Sequence, residues 1–485
     1  MRLTQTDASF LYTESANGPM HISSVYVLEG ELPFEGVFEH FQGRLHLMPA
    51  LRRKIAFVPF NIGHPKWIDD SSFELANHLE HIELAANTDF ETAFDIAVTL
   101  NEPMLDRTKP LWKCYVISGV ENRTLILTMV HHALIDGASG VDLTTIIYDI
   151  DPDTPLATSP AEPWVPNSEQ THFERLAEAF AENLGKLESK NAFDWLPNSR
   201  KQRALLLRAA KVITNFVSKP VLTAPFNAGL VGPKRHARYI KKSFGEIREI
   251  RRALGGTIND VVLAVVSEAV ARYLNDHGEN LDDQHLRIMC PVNVRTQDKV
   301  GALGNQVSAI FPTLPAWPMP MENRLGSVCA EMQRIKVAEE AQALSLLNDS
   351  SADIWPVALM PAQLIGTAFD PTRLTAKFPP PVMPNIGWRP PNLGINFVCT
   401  NVPGVQVPQY LGGHQVLDTA GLLVLTGNIG FSITILSYNK QLFFSFICEP
   451  RLLPDLERIV TNTNDSFTEL LDLARQRTNQ LSSSA

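Results

Sequence analysis

The 485-residue chain is 45% hydrophobic and 19% charged, with 7 Trp and 24 Phe, enough for two domains of ordinary size and against disorder as the main state. A formal net charge of −10 argues against nucleic acid as the main partner, and no run of 18 or more apolar residues marks a membrane-spanning helix. Five scattered cysteines without a CxxC spacing, and an opening "MRLTQTDASFLYT" without an apolar signal region, point to reduced thiols and a cytoplasmic protein.

In chain order, "MHISSVYVLEG" and "KPLWKCYVISG" alternate as half-buried strands do, and "RTLILTMVHH" reads as a strand of high β-propensity. "SGVDLTTIIYDI" reads as a helix, with Ser139 at the N-cap and Asp142 in a capping-box position. Residues 151–170 carry five prolines and are expected to be a linker, with helical segments continuing to about Lys219. Within these, 200–217 places Arg200, Lys201, Arg203, Arg208 and Lys211 on one helical face and seven apolar residues on the other. That pattern fits a helix packed on the body with a solvated basic side, or one lying on an anionic membrane.

A second mixed region starts near Tyr239. "TINDVVLAVVSEAVARYL" is its best helix, opened by Thr257 with Asp260 three residues on. "HLRIMCPVNVRT", "LGINFVCTNVPG", "GLLVLTGNIGFSITILSY" and "FSITILSYNKQLFFSFIC" read as buried strands. The order predicts an α/β chain in three parts: 1–150, a Pro-rich then basic connector over 151–235, and a similar α/β half over 236–485. Between Lys186 and Arg252 sixteen Lys and Arg face only four Asp and Glu, a local charge of +12 that leaves the remainder near −22. Something anionic, a phosphorylated ligand or a lipid headgroup surface, is expected to meet this segment.

The densest chemistry lies in "MVHHALIDGASG" at 129–140. Neighbouring strand side chains point to opposite faces, so His131 should share a face with Leu125, Leu127 and Met129 while His132 points the other way. Such a pair does not readily chelate one metal, and no HExxH or Cys/His cluster accompanies it. Packing suits His131. His132, last on its strand, is better placed to reach a cleft as a general base. Asp136 offers a carboxylate to orient an imidazole or pair with an arginine, and Gly137 permits a backbone that a β-carbon resists. No GxSxG, Walker A or GxGxxG occurs, so a base here would act on the substrate itself, for instance an alcohol.

"HHALIDG" resembles the HHxxxDG signature of CoA-dependent acyltransferases and peptide-condensation domains. With "DASFLY…GPMHI", "PLWKCYVISGVENR", "TINDVVLAVVSEAVARYL", "PVNVR" and "TNVPG" in the same order, nearly the whole chain resembles the bacterial wax ester synthase/diacylglycerol acyltransferase family. The resemblance implies α/β mixed sheets in two chloramphenicol-acetyltransferase-like domains, with an active-site channel between them. It implies His132 as general base, His131, Asp136 and Gly137 as its supporting motif, and a long-chain acyl-CoA as substrate with no other cofactor and no acyl-enzyme. The acceptor would be a fatty alcohol, giving wax esters, or a diacylglycerol, giving triacylglycerol. Arg295 in "PVNVR" is one candidate partner for Asp136.

The other motif residues carry two readings each. Asp260 is explained by helix capping alone, and Asn259 beside it is a candidate for the channel. Pro110, Leu111 and Trp112 suit packing or tunnel lining. Thr400 and Asn401 supply either an oxyanion donor or a turn before Pro403–Gly404. Lys234, Arg235, Arg238, Lys241 and Lys242 are candidates for the CoA phosphates, and 200–217 for peripheral contact with the inner membrane or a lipid body. The family's Tyr-Pro-x-Ser segment is replaced by "TAGLLVLTGNIG", and the Pro-rich 379–392 stretch reads as an insert or lid-like loop. Two further readings compete: a condensation-type acyltransferase using a carrier-bound donor, and a non-catalytic lipid-binding protein.

Overall fold

The computed structural model describes residues 2–59, 62–134, 144–155, 157, 164–168, 171–189, 221–293, 307–338 and 394–483. Its first strands are β1 (His21–Glu29), β2 (Arg53–Ala56), β3 (Lys66–Asp69), β4 (Leu79–Thr88), β5 (Trp112–Val120) and β6 (Arg123–His131). There follow β7 (His236–Ser243), β8 (His285–Asn293), β9 (Val307–Ile310), β10 (Thr313–Pro315), β11 (Phe397–Pro403), β12 (Tyr410–Leu411), β13 (His414–Leu422), β14 (Phe431–Tyr438) and β15 (Gln441–Cys448). The α-helices are α1 (Gln5–Thr13), α2 (Phe34–Arg44), α3 (Phe90–Leu100), α4 (His172–Ser189), α5 (Phe244–Leu254), α6 (Ile258–Asp276), α7 (Met321–Val337) and α8 (Leu456–Ser483).

The alternating and β-branched runs fold as the expected strands, and they assemble into two mixed sheets. The first has the order β12-β13-β1-β6-β5-β4, with only the β4–β5 pair parallel. The second runs β10-β8-β11-β14-β15-β7, with β9 also on β8; β8–β11 and β11–β14 are parallel. A two-residue turn closes the β14–β15 hairpin, with Asn439 and Lys440 at φ 44° and 60°, the twist that suits right-handed strands. The Thr257/Asp260 capping box forms as expected and opens α6. This helix is apolar nearly all round because the second sheet's core encloses it among α5, α7 and α8.

The expected partition of the chain is not followed by the strands. β12 and β13, from the 236–485 segment, lie in the first sheet, where Val25 is opposite Ala420 and Ser23 opposite Leu422. An apolar run fixes which residues are buried but not which sheet edge receives it, so this crossing was not legible from the pattern. After β13 the chain returns to the second sheet, and the two sheets meet closely there. Gly421 N donates to Ser445 Oγ at 3.1 Å, and a Cβ on Gly421 would stand 2.7 Å from Thr434 Cγ2. Leu125, Leu127 and Met129 of β6 share a core with α3 and with Ala237 and Ile447 of the second sheet. The opposite face of the first sheet packs against α1 and α2.

Cys114, Cys290, Cys399 and Cys448 are buried and Cys329 is half-buried, all as free thiols. Among the described residues no single helix is long and apolar enough to cross a membrane. The proposed Ser139 cap, the 200–217 basic helix and the 379–392 stretch lie outside the described residues.

Candidate active site

β6 ends at His131, and His132 is the first residue beyond it. The strand hands its geometry to both histidines. His131 N donates to Leu111 O at 2.9 Å and His132 N to Met20 O at 2.8 Å, so neighbouring segments hold both backbones. Alternation then divides the side chains: His131 is fully buried, while His132 is half-buried with its ring on Phe10 of α1. The two rings are nearly coplanar in direction, 5° apart with centroids at 4.1 Å. Of the His132 ring nitrogens, Nδ1 is buried.

His131 sits in a polar cluster rather than the purely apolar packing that its strand face suggested. Its Nδ1 accepts from Ala133 N at 3.0 Å, which places the proton of the neutral ring on Nε2. That nitrogen stands 3.4 Å from Glu14 Oε1, at the outer limit of a hydrogen bond. Glu14, just past α1, is buried and also accepts Met20 N at 2.9 Å and Arg107 Nε and Nη2 at 3.0 and 2.8 Å. Burial raises its pKa, but His131, Arg107 and the Met20 N–H together outweigh that and bring it to about 2. Opposite His131 across the β1–β6 ladder lies His21, whose Nε2 meets Asn101 O at 2.9 Å. Desolvation brings its pKa to about 4, and the bond to Asn101 only partly opposes it.

Phe10, Glu14, Arg107 and His21 were not singled out from sequence. The signal that could have found α1 is the capping spacing of Thr4 and Asp7, where Thr4 Oγ1 accepts from Asp7 N. Glu14 has no sequence signal of its own. Its side-chain partners, Arg107 and His131, come from distant parts of the chain.

The other motif residues have clear places. Leu111 is fully buried and its carbonyl holds His131. Trp112 Nε1 donates to Leu51 O at 2.8 Å and its ring stacks on His78, while Pro110 is buried and its carbonyl accepts from Trp112 N. This triplet packs behind the histidines. Asp260 Oδ2 accepts Thr257 N at 2.8 Å, the capping role, and Asn259 sits half-buried in the same first turn. Thr400 and Asn401 lie within β11, with the buried Thr400 in register beside Thr434 of β14. They extend a strand before Pro403 rather than forming the turn. Asp136, Gly137 and Arg295 lie outside the described residues.

The five cations assigned to CoA each have a partner within the chain. Lys234 Nζ meets Glu102 at 2.9 Å, and Arg235 donates to Gly232, Lys234 and Asn17 carbonyls. Arg238 pairs with Glu91 at 2.8 Å and Asp95 at 2.6 Å, both on α3. Lys241 pairs with Asp418 at 2.7 Å, and Tyr239 donates to the same carboxylate. Lys242 Nζ donates to Asn464 and lies over the Phe467 ring. Lys234 and Arg238 thereby tie the second sheet's edge to the first half of the chain, and Lys241 ties it to β13 of the first sheet. Among the described residues no group of three His, Cys, Asp or Glu has a metal-binding arrangement.

A family profile described as the wax ester synthase/diacylglycerol acyltransferase catalytic domain matches residues 3–262, and the WS/DGAT C-terminal domain matches 303–471. A putative diacylglycerol O-acyltransferase of Mycobacterium tuberculosis is 28% identical over 97% of this chain and 90% of its own length. A probable diacylglycerol O-acyltransferase of the same organism is 26% identical over 98% and 96%. Among solved structures, the wax ester synthase/diacylglycerol acyltransferase from Marinobacter aquaeolei VT8 superposes with a TM-score of 0.62 at 19% identity, covering 98% of this chain and all of that one. The first condensation domain of the calcium-dependent antibiotic synthetase gives 0.59 at 13% identity, covering 98% and 96%, so the two-domain condensation-type fold is shared. The chain belongs to the wax ester synthase/diacylglycerol acyltransferase family of acyltransferases.

Proposed function

We propose that this acyltransferase moves a long-chain fatty acyl group from acyl-CoA directly to a hydroxyl acceptor, with His132 as general base. The observation that carries the reading is the histidine at the end of β6, half-buried, with its backbone fixed by Met20 and its ring held on Phe10. With Nδ1 buried, Nε2 is the nitrogen we assign to proton transfer. It takes the acceptor hydroxyl proton as the oxygen attacks the thioester carbonyl. The C–S bond then breaks, and the imidazolium returns its proton to the departing CoA sulfur. Both substrates are held at once, so proximity replaces a covalent intermediate.

Diacylglycerol is the acceptor favoured by the names of the relatives, with a fatty alcohol as the alternative. Asp136, Gly137 and Arg295 retain their proposed supporting roles, and Asn259, Thr400 and Asn401 their proposed place along the channel. Because the cations at 234–242 already hold intramolecular partners, the CoA phosphates are better assigned to other parts of the basic segment. The 200–217 stretch is proposed for peripheral contact with the inner membrane or lipid bodies from the cytoplasmic side. The condensation-type fold keeps a carrier-bound acyl donor as the second reading.

Thiol release from palmitoyl-CoA, measured with a diacylglycerol, with hexadecanol and without acceptor, separates these readings. Acceptor-dependent release supports the proposal and names the acceptor. Release independent of acceptor indicates a thioesterase, and transfer only from a carrier-bound acyl group indicates the second reading.

A further inference from the structure

We propose that Phe10 is a positioning residue for acyl transfer, fixing the plane of the His132 imidazole by face-to-face contact. The inference rests on His132 being the proton acceptor. The hydrogen bonds around His132 fix its backbone: Met20 O takes its N–H, and the bonds at His131 and Ala133 hold the residues on either side. The two side-chain torsions that aim the ring are bounded by the face of Phe10, at 4.1 Å and 5°.

Phe10 is itself anchored from both ends of its helix. Thr4 caps α1 through Asp7 N, and Glu14, directly beyond the last turn, is tied to Arg107 and Met20. Met20 closes the circuit, since its N–H donates to Glu14 and its carbonyl receives His132. Ring plane and backbone position of the base are therefore referred to the same helix. A flat face imposes a plane on its neighbour; an aliphatic side chain of similar volume fills the space without imposing one.

The test uses the full chain with Phe10→Leu, Phe10→Met and Phe10→Tyr, reading kcat and the palmitoyl-CoA KM separately beside each variant's melting midpoint. The aliphatic variants are expected to lose kcat about tenfold with KM within about twofold, because misaimed proton transfer costs rate and not donor binding. Phe10→Tyr is expected to keep kcat near the parent value. If Phe10→Leu does not fold, Phe10→Met carries the same comparison. Parent-like kcat in the folded aliphatic variants would overturn the proposal, as would a loss in Phe10→Tyr equal to that in Phe10→Leu, or a loss confined to KM. His132→Ala, assayed alongside, keeps two failures apart. If it is fully active the base assignment falls, whereas an inactive His132→Ala with a fully active Phe10→Leu removes only the role of Phe10.

Discussion

Burial holds the His21 imidazole neutral down to about pH 4, against an ordinary value of 6.5, because desolvation outweighs its bond to Asn101. Its folded pKa is depressed, so its contribution is complete above 6.5 and is lost as pH falls toward 4, amounting to about 3 kcal/mol. Glu14 is also depressed, from 4.5 to about 2, and its contribution is lost only below 4.5. Melting midpoints recorded against pH should therefore fall in two successive steps. His21→Gln should flatten the decline between 6.5 and 4; an unchanged decline would contradict the assignment. Glu14→Gln leaves the Arg107 guanidinium without its carboxylate and should cost about 3 kcal/mol near neutral pH, seen as a midpoint several degrees lower. Sequence made part of this scale readable. The Asp260 cap follows from spacing to Thr257, and the opposite directions of His131 and His132 follow from strand alternation. Glu14, Phe10 and Arg107 do not, because their roles are created by contacts between segments far apart in the chain.

Among the elements, strands and helices were largely legible because period and capping are local properties. Sheet membership was not. β13 has the composition of any buried strand, and only the completed fold shows it seated between β1 and β12 and pressed on β14. Gly421→Ala tests that approach: a methyl group 2.7 Å from Thr434 Cγ2 forces that side chain or the facing strands to shift, at a cost of about 2 kcal/mol. A parent-like midpoint for this variant would mean the contact yields there without cost. The cations of β7 illustrate a second limit. A positive stretch predicts an anionic partner but does not say whether that partner is a ligand or the protein's own helix. Here α3 supplies Glu91 and Asp95 to Arg238, while β13 supplies Asp418 to Lys241. Arg238→Glu should lower the melting midpoint and leave the palmitoyl-CoA KM within about twofold, since partly exposed pairs contribute on the order of 1 kcal/mol each. A large rise in KM at an unchanged midpoint would return Arg238 to the CoA site.

For the whole molecule, the ordered motifs along the sequence carried the family, and two family profiles covering 3–262 and 303–471 establish it. The fold places His131 and His132 at the end of a central strand of the first sheet, with α1 and β1 framing them and two strands from the late part of the chain, β12 and β13, completing that sheet. The acyltransfer account requires that this arrangement serve His132 and not His131, whose ring is committed to Glu14 and Ala133. The most direct measurement is ester formation from palmitoyl-CoA and the preferred acceptor by folded His132→Ala, compared with the parent chain. A loss of about a hundredfold or more in kcat is expected, the contribution of a positioned general base. A folded His132→Ala chain that forms ester at the parent rate would contradict it.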